Sequence, residues 1–168
     1  MIDKVESRRR IQQLVENFWE THGTYSAYSE QDTATKWIKP LLEFLGWDLY
    51  DLREVREGVK IDLHSGEQRF FDCILYSQTN SEKTKEYIVI EFKRLGAGFL
   101  NNKVKAVKKL KDNAKETNAK YAVITRFDET IIYDAKTGEE KAFFRSPDAY
   151  LSEFETLWNY LANPSKLQ

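Results

Sequence analysis

The stretch "EYIVIEFKRLG", residues 86–96, decides the fold class because an apolar run of strand length ends in charged residues. Side chains alternate along a strand, which places Glu91 and Lys93 on one face and Phe92 on the other. A buried strand avoids an acid and an ammonium unless they have partners, since an unpaired buried charge is unfavourable. The stretch therefore predicts that other polar groups meet this end of the strand.

The residues after this strand predict a parallel strand pair. A lysine-rich helix is expected over residues 100–118, followed by the apolar strand "YAVIT" at 121–125. A strand–helix–strand unit of this kind makes a right-handed crossover between parallel neighbours. The stripe of the helix that faces inward is predicted to be Val104, Val107, Leu110 and Ala114. The order of elements predicts an α/β fold with a mixed sheet and helices on both faces.

Apolar periodicity predicts three more helices. The first covers residues 4–20, and the last covers 148–161. The middle helix begins after Ser29 with Asp32 as a capping-box partner, is bent or interrupted at Pro40, and stops near Gly46. Core packing is expected for the tryptophans Trp19, Trp37, Trp47 and Trp158.

The remaining strands are expected at 50–57, 60–64, 69–76, 130–135 and 141–145. If strand 69–76 forms a hairpin with the "EYIVIEFK" strand, one register pairs Tyr76 with Tyr87 and sets Asp72 opposite Glu91. Directly opposed residues have Cβ atoms about 4.5–5.5 Å apart, so two carboxylates there destabilise each other. Either a cation must compensate, or one acid must hold a proton.

Two cations are candidates for this role. Lys93 lies one step along the same face as Glu91, and a divalent metal could bridge both acids. Mg²⁺ typically binds one or two protein carboxylates and keeps several waters. A structural ion pair among Asp72, Glu91 and Lys93 is the alternative. Glu30 extends the buried stripe of its helix toward the sheet, although a first-turn acid is also favoured by the helix dipole, by about 0.3–1 kcal/mol.

Composition bounds the class of protein. The 168 residues are 41% hydrophobic, which suits one domain with a real core. The single cysteine excludes an internal disulfide, and one cysteine with two histidines provides too few ligands for a metal site built from Cys and His. No apolar run has membrane length, and the charged start "MIDKVESRRR" has no apolar signal region, so a cytoplasmic protein with no membrane partner is expected.

The charge distribution leaves the partner open. The net charge is −1, which gives no bulk electrostatic case for nucleic acid. Residues 103–120 nevertheless carry seven lysines, and Arg8, Arg9 and Arg10 form a second cluster. Such local basic faces suit a polyanion, or they are solvated faces that aid solubility.

Several stretches together resemble a known family. Glu30 on a helix, Asp72 on a strand and "EFK" at 91–93 resemble the PD-(D/E)xK nuclease superfamily. The stretches "SEQDTATKWIKPLLEFLGWDL", "FFDCILY", "IVIEFKRLG" and "AKYAVITRFDETIIYDA" look like the N-terminal nuclease domain of type I restriction enzyme motor (R) subunits and its stand-alone relatives. The resemblance covers roughly residues 29–135.

The resemblance implies a restriction-endonuclease-like α/β/α sandwich around a mixed sheet. It implies an endonuclease of the restriction or DNA-processing type that hydrolyses DNA phosphodiester bonds with Mg²⁺, or with Mn²⁺ in its place. Carried over by position, Asp72, Glu91 and the backbone carbonyl of Phe92 would bind the metal. Lys93 would be the catalytic lysine, and Glu30 would be the helix acid that assists.

One departure from the family concerns the helix after "EFK". Many relatives carry a glutamine and a tyrosine four residues apart there, where this chain has Lys109 and Asn113. Lysines can replace polar contacts with direct phosphate contacts, so the expected nucleic-acid-binding residues are Arg94, Lys105, Lys108 and Lys109. The departure also leaves open a nuclease-fold module that binds nucleic acid or a partner protein with weak or no catalysis, and the near-zero net charge leaves open an interaction protein.

The chain is expected to form a single nuclease-like domain over residues 1–168. Within it, 1–28 would be an N-terminal helix and connector, 29–135 the nuclease core, and 136–168 a C-terminal strand and helix. A one-site nuclease that cuts both strands of DNA usually needs two copies, so a homodimer would suit that activity, but the sequence itself does not give the oligomeric state. A targeting or motor protein is the other expected partner.

Overall fold

The six strands form one mixed sheet within the part of the chain that the structure describes. This structure is a computed structural model, and it describes residues 2–21, 28–62, 65–78, 84–95 and 99–167. The spatial order of the strands follows the sequence, and β3 and β4 are parallel whereas all other neighbours are antiparallel. The strands are β1 (Val55–Asp62), β2 (Gln68–Gln78), β3 (Thr84–Phe92), β4 (Tyr121–Thr125), β5 (Thr130–Asp134) and β6 (Glu140–Phe144).

Helices cover both faces of the sheet, as the sequence predicted. They are α1 (Lys4–Glu20), α2 (Glu30–Thr33), α3 (Lys39–Phe44), α4 (Phe99–Lys115), α5 (Ala149–Ser152) and α6 (Phe154–Leu161). All but α4 pack on one face, where Ile88 and Ile90 of β3 join their core. Helix α4 packs on the other face, where Leu110 and Ala114 meet Val89. The fold is therefore an α/β/α sandwich, and α4 is the crossover between the parallel pair, a connection that is right-handed in nearly all such units.

The helix that precedes the sheet begins and ends as predicted. The Ser29 side chain accepts from the Asp32 N–H, and the Asp32 side chain accepts from the Ser29 N–H, which completes a capping box. Gly46 follows the helix with φ +90°. The predicted interruption at Pro40 takes the form of a π-helical turn over Ala34–Ile38 between α2 and α3. Proline lacks the N–H that would continue an α-helical ladder, so the wider turn accommodates it.

Strand β1 differs from the sequence prediction at Gly58. The segments 50–57 and 60–64 were expected as two strands, but one strand runs through Gly58, whose φ is +59°. Val55 packs with the α1 side of the sheet, whereas Val59 packs with α4. Residues at i and i+4 of a regular strand share a face, so the strand inverts at this glycine.

Strand β2 inverts at the same level. Cys73 packs on the α1 side, while Phe71 packs on the α4 side, although two such residues normally share a face. Asp72 lies between them, level with Gly58, because Glu57 pairs with Cys73 and Val59 pairs with Phe71. A strict period of two along strand 69–76 would place Phe71 and Cys73 on one face, and the change of backbone direction at Gly58 and Asp72 places them on opposite faces instead.

The β2–β3 hairpin has the predicted register at the end that carries Asp72 and Glu91. Cys73 pairs with Ile90, so Asp72 and Glu91 stand at the next step of the ladder. The predicted Tyr76–Tyr87 pair is wrong, because a bulge after Leu75 pairs Tyr76 with Glu86 instead. The bulge lies toward the loop and leaves the register at Asp72 unchanged.

Two residues expected in the core are exposed. Val104 is 83% exposed, because it lies six residues before the buried Leu110 and hence about 120° away around the helix. Trp19 is 41% exposed and its indole N–H donates to Asp148 Oδ1 at 3.2 Å, while its neighbour Phe18 takes the inward position. The other three tryptophans are buried, as predicted.

The predicted C-terminal helix is two helices, α5 and α6, that meet at Glu153. Across the described ranges, no helix combines the length and the apolar character needed to span a membrane.

Candidate active site

Asp72 lies at the level where both β1 and β2 invert the faces of their side chains. Its Oδ2 accepts a hydrogen bond from the backbone N–H of Phe92 at 2.7 Å, which fixes the carboxylate against the end of β3. The strand inversion at Gly58 turns Asp72 toward the space beside α2, where the cavity described below contains both Asp72 and Glu30. The alternating pattern predicted the partner strand of Asp72, but not this rotation.

Glu91 and Lys93 contact each other directly. Lys93 Nζ donates to Glu91 Oε1 at 2.8 Å and to the carbonyl oxygen of Phe92 at 2.6 Å. The backbone N–H of Lys93 donates to Thr125 O at 2.8 Å, which carries the parallel β3–β4 pairing one residue past β3. Glu30 Oε2 lies 3.8 Å from Lys93 Nζ. Two strands and one helix thus bring all four predicted catalytic residues to one end of β3.

The pKa of Asp72 is raised by its surroundings. Burial, and then the negative charge of Glu91, raise the pKa of Asp72 to about 6. The Phe92 N–H and the Lys93 ammonium act in the opposite direction but do not cancel these effects. Asp72 is therefore a carboxylate that ionises at a cost, which is the condition a bound cation would relieve.

A cavity of about 560 Å³ opens beside Asp72. It is lined by Ser29, Glu30, Gln31, Glu57, Gly58, Phe70, Asp72 and Phe92. Glu57, Gly58 and Phe70 were not among the predicted site residues. The available signal was the lone glycine in "VREGVKID", because a glycine inside a strand pattern indicates a bulge or a close approach.

The oxygen atoms here suit a hard divalent cation. Asp72 and Glu91 supply carboxylates, and the Phe92 carbonyl supplies a third oxygen beside them. Among the described residues no cluster of three or more His, Cys, Asp or Glu side chains is arranged to hold a metal. Two carboxylates are nevertheless the number that Mg²⁺ typically takes from a protein. The Lys93 ammonium donates hydrogen bonds to two of these three candidate ligands, Glu91 and the Phe92 carbonyl, and a dication would have to displace it.

The predicted nucleic-acid-binding lysines lie elsewhere. Arg94 is exposed directly after Lys93. Lys105, Lys108 and Lys109 are exposed on α4 and line a depression of about 500 Å³. None of the residues described for this depression also lines the cavity beside Asp72. The lysines of α4 and the carboxylate of Asp72 therefore line different depressions of the described surface.

Asn113 has a structural role that accounts for its place on α4. It is buried, and its Oδ1 accepts from Arg69 Nε of β2 at 3.0 Å. The side chain therefore joins α4 to the strand that carries Asp72. Lys109, one turn earlier on the helix, is exposed at the surface.

Comparisons with known proteins agree with this architecture. No family model and no curated protein matches the sequence. Among solved structures, a chain of the DrdV–DNA complex is 15% identical with a TM-score of 0.50, over 94% of this chain and 14% of that one. A fragment assigned as an HsdR subunit of a type I restriction enzyme from Vibrio vulnificus YJ016 is 22% identical with a TM-score of 0.47, over 79% of this chain and 26% of that one.

The chain has a restriction-endonuclease-like fold. It spans only about a quarter of the length of the HsdR fragment and about a seventh of the DrdV chain.

Proposed function

We propose that the protein is a metal-dependent DNA endonuclease. The observation that carries the proposal is the convergence of Asp72, Glu91, Lys93 and Glu30 at one end of β3, beside an open cavity. Carboxylates on adjacent strands that hold a metal, with an amine alongside, would supply the Lewis acid and the cation that phosphodiester hydrolysis uses. The raised pKa of Asp72 supports a cation at this position but does not identify it.

Asp72, Glu91 and the Phe92 carbonyl would hold Mg²⁺, or Mn²⁺ in its place. The bound metal would polarise a phosphate oxygen and lower the pKa of a coordinated water. Lys93 would orient that water or stabilise the negative charge that develops on the phosphate. Glu30 would hold the Lys93 ammonium once Glu91 turns to the metal, since its carboxylate already lies 3.8 Å from Nζ.

DNA is the proposed substrate for two reasons. The DrdV chain that shares this fold is in a complex with DNA. The exposed lysines of α4 and Arg94 supply the positive charge that phosphate contacts require. A homodimer, and a targeting or motor partner, are parts of the same proposal.

Cleavage of supercoiled plasmid DNA tests the proposal. With Mg²⁺ the wild-type protein should nick the plasmid, and Lys93→Ala should slow nicking by at least about 100-fold, the effect of removing one stabilising donor. The matched control is Lys141→Ala, which removes a lysine that is ion-paired with Glu139 away from the site. A folded wild-type protein that cuts no DNA with Mg²⁺ or Mn²⁺ contradicts the proposal.

A second candidate function is a nuclease-fold module that binds nucleic acid without cutting it. Lys93 favours this alternative, because its ammonium already bonds two of the three candidate metal ligands. The alternative predicts salt-sensitive DNA binding that Asp72→Asn leaves unchanged. Calorimetric titration with Mg²⁺ separates the two candidates. Heat of binding in the wild type that is lost in Glu91→Ala favours the enzyme, and no binding in either protein favours the module.

A further inference from the structure

An exposed aromatic ring forms part of the wall of the active-site cavity. Phe70 is 53% exposed, although most large apolar side chains in the described residues are buried. It lies two residues before Asp72 on β2 and lines the same cavity. An aromatic ring left in water next to a candidate phosphodiester site is available for contact with a planar ligand.

Gly58 leaves room for this ring. A Cβ atom at position 58 would lie 3.4 Å from Phe70 Cζ, so the ring edge rests over the glycine. The left-handed backbone of Gly58 also turns β1 and β2 so that Phe70 and Asp72 both border the cavity. The same glycine thus places the acid and the aromatic ring on one surface.

The charge of the cavity limits what can lie against Phe70. Its described lining includes the acids Glu30, Glu57 and Asp72 and no lysine or arginine. Lys39 neutralises Glu57 at 2.8 Å, but the lining is still rich in hydrogen-bond acceptors. A phosphate group without a cation is repelled there. A neutral planar ring that carries amino donors is complementary, and nucleobases have this chemistry.

A cation stands beside the ring but outside the cavity lining. Lys60 of β1 is directly opposite Phe70 in the β1–β2 ladder and is exposed. Opposed side chains have Cβ atoms about 4.5–5.5 Å apart. Lys60 is therefore placed to meet the backbone phosphate of a nucleotide whose base lies on Phe70.

We propose that Phe70 is a stacking platform for an unpaired nucleobase next to the scissile phosphate. Bases within a duplex are stacked on their neighbours and offer no free face, so the proposed substrate class is DNA with an unpaired nucleotide, such as a single strand, a flap or a gap. The inference deepens the proposed nuclease function, because it assumes that the ligand is nucleic acid. Stacking on aromatic side chains is indifferent to sequence, so base identity contributes little to affinity.

Binding measured without metal tests this inference independently of cleavage. Fluorescence anisotropy in EDTA would compare three probes of equal length: an adenine single strand, an abasic sugar–phosphate strand and a duplex. The wild type should prefer the adenine strand. Phe70→Leu should weaken that binding by about 5- to 150-fold, the range for loss of one stacked base. Phe70→Trp should retain it, and neither substitution should change binding of the abasic strand.

The matched control is Tyr50→Leu, which removes an aromatic ring that is 90% exposed and is not part of the cavity lining. It should bind all three probes like the wild type. Because Phe70 is half exposed, Phe70→Leu should fold, and thermal unfolding checks this. A 2-aminopurine placed in the single strand should be quenched by the wild type but not by Phe70→Leu.

The outcomes separate this inference from the nuclease proposal. Equal binding of the adenine strand by folded Phe70→Leu and the wild type overturns the stacking platform, even if the protein cuts DNA. Equal wild-type affinity for the adenine and abasic strands overturns it as well. Base binding that depends on Phe70, in a protein that cuts no DNA, keeps the platform and refutes the nuclease.

Discussion

Asp72 is subject to two opposing requirements. Its carboxylate must be ionised to bind a dication, yet burial and Glu91 oppose ionisation. The sequence was sufficient to predict that Asp72 and Glu91 are neighbours, because a hairpin of the two strands has a register that opposes them. It was also sufficient to place Lys93 beside Glu91, because the two residues are two positions apart. It could not predict the extent of burial, which depends on how α2 covers the strand ends.

Replacement of Asp72 by asparagine should stabilise the metal-free protein at pH 8. The pKa of Asp72 is about 6 in the folded protein, above the value near 4 of an unfolded chain. A raised pKa means that its favourable contribution is complete below about pH 4 and is lost as the pH rises through about 6. At pH 8 the ionised form therefore destabilises the fold, by on the order of 2 kcal/mol.

Chemical denaturation in EDTA at pH 4 and pH 8 measures this effect. Asp72→Asn should unfold at higher denaturant than the wild type at pH 8, and the difference should largely vanish at pH 4. Asp112→Asn on the exposed face of α4 is the control and should leave the midpoint unchanged at both values. A less stable Asp72→Asn protein at pH 8 contradicts the assignment of Asp72 as an unfavourably buried acid.

At the scale of elements, the interruption at Pro40 was predictable and the inversion at Gly58 was not. Proline lacks the N–H that a helix needs, so its position alone indicates a break, whereas Gly58 was expected to separate two strands and instead inverts one continuous strand and its neighbour. The capping box, the crossover and the parallel pair were predictable because each depends on residues close in sequence. The inversion was not, since it emerges from the pairing of β1 with β2.

Gly58→Ala should impair both the fold and the site. A side chain at φ +59° costs about 1–2 kcal/mol, and the new Cβ would meet Phe70 Cζ. Gly66→Ala is the matched control, because Gly66 also has a positive φ, +82°, but its Cβ would meet nothing within 4 Å. Both variants should lose stability in thermal unfolding, while only Gly58→Ala should lose plasmid cleavage. Equal activity in the two variants would show that the strand inversion does not position the site.

Helix α4 should contribute to DNA binding through charge alone. Replacement of both Lys108 and Lys109 by alanine should weaken binding and reduce the slope of log K against log salt concentration by about 1.8, if each lysine neutralises one phosphate. The control is Lys4→Ala combined with Lys141→Ala, two lysines that form ion pairs elsewhere with Glu155 and Glu139. A slope that the α4 variant leaves unchanged would exclude these lysines from the interface.

At the scale of the whole molecule, the proposed site of four residues would cut one strand of DNA. Double-strand cleavage then requires two copies, or two visits by one copy. We expect the initial rate of nicking to rise in proportion to protein concentration and the rate of linearisation to rise more steeply. Gel analysis of a plasmid over a dilution series measures both rates. Equal concentration dependence of the two rates would favour a monomer that acts twice. The choice between a dimer and a monomer could not be predicted from the sequence, because an interface depends on surface shape.

The position of the Lys93 ammonium has a consequence for metal occupancy. A positive group tethered within bonding distance of Glu91 and the Phe92 carbonyl is always present at high local concentration. The Lys93 ammonium therefore competes with a metal ion for these two oxygens. A metal ion would bind there only after the ammonium has moved to another partner. Glu30 offers that alternative, and an incoming phosphate offers a better one. An incoming phosphate that takes up the Lys93 ammonium would then raise the affinity of the proposed site for metal, so metal should bind more tightly with DNA than without it.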